Sequence, residues 1–136
     1  MTEIPAVRSV MTPAPLTVEV DAPLREAQDL MIDHEIRHLP VVDAGRLVGI
    51  VSDRDVAAVD NDSASRELME RLRVRDVCSL DFYAVSPEER LDVVLDAMAE
   101  RRLGSAIVTD EEKIAGLFTA TDACRVFAEH LRATAG

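Results

Sequence analysis

Shifted by 67 positions, the chain matches itself from one end to the other, and Asp55 against Asp122 is one such step. Val7-Arg8-Ser9-Val10 falls on Val74-Arg75-Asp76-Val77. Val18 falls on Val85, Leu24 on Leu91, Met31 on Met98, Val41 on Val108 and Gly49 on Gly116. Most other pairs keep apolar against apolar, as Ile36 with Leu103 and Ile50 with Leu117. One register held without a gap means two copies of one supersecondary unit, which limits the fold more than any composition does. The copies span residues 7–59 and 74–127, joined by a linker at 60–73 that carries a short helix. A unit this small cannot bury its apolar faces alone. The expectation is one module over residues 1–136, its two copies related by a pseudo-twofold axis.

Within a copy, the pattern reads α-β-α-β-β-α. A short helical stretch, Ala6 to Met11, is stopped by Thr12-Pro13 and Pro15. Leu16-Thr17-Val18 is a short strand. Asp21-Ala22-Pro23 predicts a helix with Asp21 as its N-cap. Leu24, Ala27, Leu30 and Met31 then form an apolar stripe at helical spacing. His38 to Val42 and Leu47 to Val51 flank Asp43-Ala44-Gly45-Arg46 and read as a buried hairpin. The second copy repeats this with Ala84-Val85, a helix from Glu88 to about Arg102, strands at Ala106–Thr109 and Ile114–Phe118, and a last helix bearing Val126, Phe127 and Leu131. The fold class is α/β in the mixed α+β sense: in each copy a small, mainly three-stranded mixed sheet with flanking helices.

Charge and composition narrow the function. The net charge of −11 argues against a nucleic-acid backbone or an anionic membrane surface as partner. No stretch is long and apolar enough to span a bilayer, and the N-terminus lacks the pattern of a signal peptide. Cys78 and Cys124 form no CxxC and read as small apolar residues in a reducing compartment. The expectation is a soluble cytoplasmic protein.

The chemistry concentrates where each hairpin ends. Gly49-Ile50-Val51-Ser52-Asp53-Arg54-Asp55 and Gly116-Leu117-Phe118-Thr119-Ala120-Thr121-Asp122 both run from a buried strand into a helix. Free amides and the helix dipole at such a junction can receive an anion. The same Ser/Thr-x-x-Asp spacing also serves as a helix cap with no ligand involved.

The ordered set of motifs, twice at one spacing, resembles the CBS domain pair, or Bateman module, named for cystathionine β-synthase. The matching stretches are Val10-Met11-Thr12, Ile36 to Asp43 and Gly49 to Asp55, then Leu103-Gly104-Ser105-Ala106-Ile107-Val108 and Gly116 to Asp122. The resemblance implies a regulatory module that binds an adenine nucleotide or related adenosyl ligand in clefts between the two copies. AMP, ADP, ATP (alone or with Mg²⁺) and S-adenosylmethionine are the candidates, and no cofactor is required. In the first copy it implies Thr17, Ile36, Arg37, His38, Pro40, Ile50, Ser52, Arg54 and Asp55 as binding residues. In the second copy these are Ser105, Ile107, Leu117, Thr119 and Asp122. The terminal Asp holds ribose hydroxyls, the Ser or Thr hydroxyl faces ribose or phosphate, and the strands line the base. It further implies a homodimer. With no enzyme or transporter domain in the sequence, the expectation is a free-standing module acting on an unidentified partner protein. The alternative is a structural or dimerisation module whose clefts stay unoccupied.

The copies differ in charge at these junctions. Arg37, His38 and Arg54 align with Gly104, Ser105 and Thr121. Arginine suits phosphate through its bidentate fork. The first junction is therefore expected to prefer a phosphorylated ligand, unless Arg54 is held by Asp53, and the second to take a ligand with less charge or stay empty; the alternative is that Arg37 and Arg54 are solvated surface charges. No catalytic residues are expected: there is no GxSxG, P-loop or GxGxxG. His34, His38 and His130 lack metal-ligand spacing, and Asp53, Asp55, Asp60 and Asp62 lack the glycine and closing Glu of an EF-hand. No metal site is expected.

Overall fold

A computed structural model describes residues 3–59 and 65–135, the side chains at 65 and 66 excepted. After a 3₁₀ turn at Val7–Ser9, the elements are β1 (Thr12–Pro13), β2 (Val18–Glu19), α1 (Leu24–Asp33), β3 (His38–Asp43), β4 (Arg46–Ser52) and α2 (Asp53–Val59). Then come α3 (Ser65–Arg71), a 3₁₀ turn at Val74–Asp76, β5 (Ala84–Val85), α4 (Leu91–Arg101), β6 (Ser105–Asp110), β7 (Lys113–Thr119) and α5 (Ala120–Ala135). This is a mixed α+β chain with two small mixed sheets, β2-β3-β4 and β1-β7-β6-β5. The polar linker at 60–64 lies outside the described residues.

Both sheets are built the same way. β2 runs parallel to β3, and β3 turns back antiparallel into β4; β5, β6 and β7 repeat this. Each hairpin closes through two residues at positive φ. These are Ala44 and Gly45 at 53° and 83°, and Glu111 and Glu112 at 51° and 69°. Two such residues make the turn whose twist matches the strands. Gly45 takes this conformation freely, whereas the two Glu residues hold it against their own Cβ atoms. Each β3- or β6-type strand carries an irregularity at the same place, Val41/Val42 and Val108/Thr109.

Helix stripes supply the cores. Leu24, Ala27 and Met31 of α1 pack with Val18, Leu39, Val41 and Val51. Leu91, Val94 and Met98 of α4 pack with Val85, Ala106, Val108 and Phe118. Residues i, i+3 and i+7 share one helix face, so each helix lies on one side of its own sheet.

The compact bodies are cut differently from the sequence repeat. One body is residues 16–82, and the other joins 1–15 to 83–136. Each copy's lead-in segment has left its own copy. Val74 is buried in the core of the first copy, and Val7 in the core of the second. The exchange is reciprocal to the atom. Val74 N donates to Ala22 O (2.9 Å) and Val7 N to Glu89 O (2.8 Å). Arg75 pairs with Asp21, and Arg8 with Glu88.

The exchange also accounts for one failed expectation. Asp21 does not cap α1. Pro23 occupies the cap position with φ −58° and ψ 143°, without a side-chain cap bond. The first amide, Leu24 N, donates instead to Leu72 O at 2.9 Å, as Leu91 N donates to Pro5 O at 2.9 Å. A backbone carbonyl from the exchanged segment satisfies the open helix end, which frees Asp21 for arginine.

Gly49 and Gly116 let these segments lie flat on the sheets. A Cβ on Gly49 would stand 2.7 Å from Ser79 O and 3.3 Å from Cys78 Sγ. A Cβ on Gly116 would overlap the Met11 side chain. Ser79 exchanges both backbone bonds with Ile50, at 2.9 and 2.8 Å. Thr12 and Pro13 pair with Leu117 and Gly116 as β1, an edge strand that periodicity alone did not reveal.

Candidate functional site

The register brings the expected residues to one face of each sheet. His38 stands opposite Ser52, and Pro40 opposite Ile50. Ser105 stands opposite Thr119, and Ile107 opposite Leu117. Alternation puts these on the face away from Leu39, Val41 and Val51, or from Ala106, Val108 and Phe118. Pro40, Ser105, Ile107 and Leu117 are buried, and none belongs to its unit's helix-backed core cluster. Ile36 is half-buried against the first core. Arg37, Arg54 and Thr17 are exposed, with Thr17 just ahead of β2.

At the first junction Ser52 and Asp55 bond reciprocally. Asp55 Oδ2 accepts from Ser52 N at 2.8 Å and from Ser52 Oγ at 3.0 Å, and Asp55 N donates to Ser52 Oγ at 3.2 Å. This is a capping box closed by Asp in place of Glu, worth about 1 kcal/mol to the helix start. The spacing alone therefore describes real local structure. Asp55 is half-buried, and among the described residues nothing donates to its Oδ1.

Two cations and two acids act on the His38 ring, which stands opposite Ser52. Burial holds the His38 imidazole below its ordinary value, Asp53 and Asp55 push it back up, and Arg37 and Arg54 draw it further down. All four charges are thus close enough to be felt at one ring. Neither guanidinium group has an ion pair or hydrogen bond among the described residues, so Asp53 does not hold the Arg54 side chain. The Cys78 thiol behind the junction is pushed up by burial, with Asp55 adding to the effect.

The second junction repeats the box. Asp122 Oδ2 accepts from Thr119 N at 2.9 Å and Thr119 Oγ1 at 3.1 Å, and Asp122 N donates to Thr119 Oγ1 at 3.2 Å. Here the other oxygen is used as well. Asp122 Oδ1 accepts from Arg125 Nη2 at 2.7 Å and from Thr12 Oγ1 at 3.4 Å. Arg125 belongs to none of the motifs, although its i,i+3 spacing from Asp122 is a readable signal. Thr12 counted only as part of a motif. Its pairing needs the exchanged lead-in, which no local pattern shows.

No group of three His, Cys, Asp or Glu able to hold a metal ion occurs among the described residues. No helix among them is long and apolar enough to cross a membrane.

A family profile for the CBS domain matches residues 7–62 and 74–129. The chain belongs to the CBS domain family, as a tandem pair. It is 30% identical to the crystal structure of AcuB from Vibrio cholerae, a protein provisionally assigned to acetoin utilization, with a TM-score of 0.84 over 96% of this chain and 95% of that one. It is 25% identical to the CBS domain pair of protein MJ0100, solved with 5′-methylthioadenosine and S-adenosyl-L-methionine, with a TM-score of 0.82 over 94% and 99%. Among curated sequences it is 29% identical to L-aspartate semialdehyde sulfurtransferase of Methanocaldococcus jannaschii, over 91% of this chain and 23% of that protein. The chain spans 21% to 35% of the length of the first curated relatives it matches.

Proposed function

We propose that the chain is a regulatory sensor. It takes an adenine nucleotide or S-adenosylmethionine at the Ser52–Asp55 junction, and occupancy alters the surface offered to a partner protein. The observation that carries this reading is the open Oδ1 of Asp55. A carboxylate oxygen with no donor, held in place through its sister oxygen, suits a vicinal diol such as the ribose hydroxyls. Arg37 and Arg54 stand ready for a phosphate, which favours AMP, ADP or ATP, the last with or without Mg²⁺. Ile50, half-buried and backed by the buried Pro40 opposite it, supplies an apolar surface for a base. The adenosyl ligands bound by the MJ0100 pair support the same class of ligand. Occupancy regulates only if the ligand binds one conformation better than another.

Thermal unfolding with AMP, ADP, ATP and S-adenosylmethionine, with and without Mg²⁺, tests this. A ligand at a hundredfold excess over Kd should stabilise by about 2.7 kcal/mol. Asp55→Ala should remove that shift. A screen in which no compound moves the melting point defeats the sensor reading, and turnover of a nucleotide would replace it with an enzyme.

One observation favours the second reading, a dimerisation module. Phe127 and Leu131, one helical turn apart on α5, are 61% and 50% exposed, with His130 stacked on Phe127. An apolar pair so placed suits a homodimer contact. Light scattering of the wild type and Phe127→Glu separates the two roles: dissociation with ligand binding intact assigns α5 to assembly alone.

A further inference from the structure

We infer that the second junction is latched from within, by Arg125 and Thr12, so that the chain takes one adenosyl ligand, at Asp55, and not two. The inference rests on the reading of Asp55 as a ribose acceptor and adds to it a limit on stoichiometry.

The latch is a matter of acceptor capacity. A carboxylate has two oxygens and about four lone-pair positions. Asp122 gives two to Thr119, one to Arg125 and one to Thr12. Its side chain is 6% exposed. A diol arriving there must displace a charge-assisted bond of 2.7 Å and find space that Arg125 now fills. Asp55 gives its two bonds to Ser52 and keeps Oδ1 open.

The repeat shows that the latch belongs to one copy only. Ala58 stands where Arg125 stands, so no guanidinium can reach Asp55 from that position. Ser79 stands where Thr12 stands, but its hydroxyl is turned to Asp81. It donates to Asp81 O at 3.2 Å and accepts from Asp81 N at 3.2 Å. Both latch contacts are therefore missing at Asp55 for separate reasons. Arg125 itself is 53% exposed, so removing it opens a path from solvent to Asp122 Oδ1.

Titration calorimetry of the full chain with AMP, and separately with S-adenosylmethionine, tests the latch. Wild type should bind one ligand per chain and lose it in Asp55→Ala. Arg125→Gln should bind two, the second surviving Asp55→Ala. Should Arg125→Gln fold poorly by circular dichroism, Ala58→Arg provides the converse test on an exposed helix position. It transplants the latch beside Asp55 and should weaken binding at least tenfold. Two ligands of similar affinity on the wild type overturn the latch and leave the sensor standing. A wild-type event lost in Asp122→Ala but kept in Asp55→Ala overturns the latch together with the assignment of the ligand to Asp55. An Arg125→Gln chain that folds and still binds one ligand overturns the latch too, as does undiminished binding by Ala58→Arg. If neither ligand binds any of these chains, the sensor reading falls first and the latch with it.

Discussion

The Asp55 and Asp122 junctions have the same backbone plan and the same three-bond box, yet only one carboxylate is fully used. At Asp122, an arginine and a threonine fill the second oxygen. At Asp55 that oxygen receives no donor among the described residues, and the guanidinium groups of the exposed Arg37 and Arg54 have no partner among them either. The difference teaches that a motif is a position for chemistry. Whether the chemistry is available depends on what the neighbouring turns send towards it. Ala58 against Arg125 matters as much here as Ser52 against Thr119.

The two glycines offer the strongest way to test how alike the junctions are. Gly49→Ala drives a methyl onto the backbone carbonyl of Ser79, which is fixed by two bonds to Ile50. Gly116→Ala meets only the side chain of Met11, which can swing aside. Chemical denaturation should show a loss of about 3 kcal/mol for Gly49→Ala and about 1 kcal/mol for Gly116→Ala. Equal losses would mean that the two lead-in segments are held with equal rigidity.

Neutralising the acids should give the next largest contrast. Asp122→Asn removes the charge facing Arg125 and turns one of two buried acceptor oxygens into an NH2 donor, and should cost about 2 kcal/mol. Asp55→Asn weakens a half-buried cap and should cost about 1 kcal/mol. Melting curves of the two variants without ligand check the order; a larger loss at Asp55 would contradict the assignment of Asp122 as the more committed carboxylate.

The smallest effect is a pH slope present at one junction only, because Ser105 stands where His38 stands. Burial lowers the His38 pKa from 6.5 in the folded chain. The unfolded chain therefore binds the proton more readily, so this contribution is intact above about 6.5 and is lost as pH falls through the lower folded value. His38→Gln should flatten the stability profile across that range. An unchanged profile would mean that His38 is better solvated than its place beside Ser52 implies.

Much of this was legible in the residues. The duplication, the stripes at Leu24 and Leu91, the hairpins and both Ser/Thr-x-x-Asp boxes follow from spacings of a few residues. The exchange of lead-in segments was not legible, for a definite reason. Val7 on Val74 is the same match whichever core each residue enters, so the sequence symmetry is blind to the swap. The Asp21 error follows from that blindness, since Leu72 O took the amide that a local cap would have taken. The Thr12 contact is hidden likewise, while Arg125 was visible at helical spacing but had no counterpart in the other copy to draw the eye.

The exchange also sets a timetable for biosynthesis. The body at 16–82 is one continuous stretch and is complete as soon as its last residue leaves the ribosome. The other body needs residues 1–15 to wait until 83–136 has been made. Through that interval Val7 and Met11 have no sheet to rest on, and closing the long loop carries an entropic cost that the contiguous body never meets. Two halves that look like equals in the finished molecule are thus unequal while it is being built, with the earlier body ready to fold before the later one can begin.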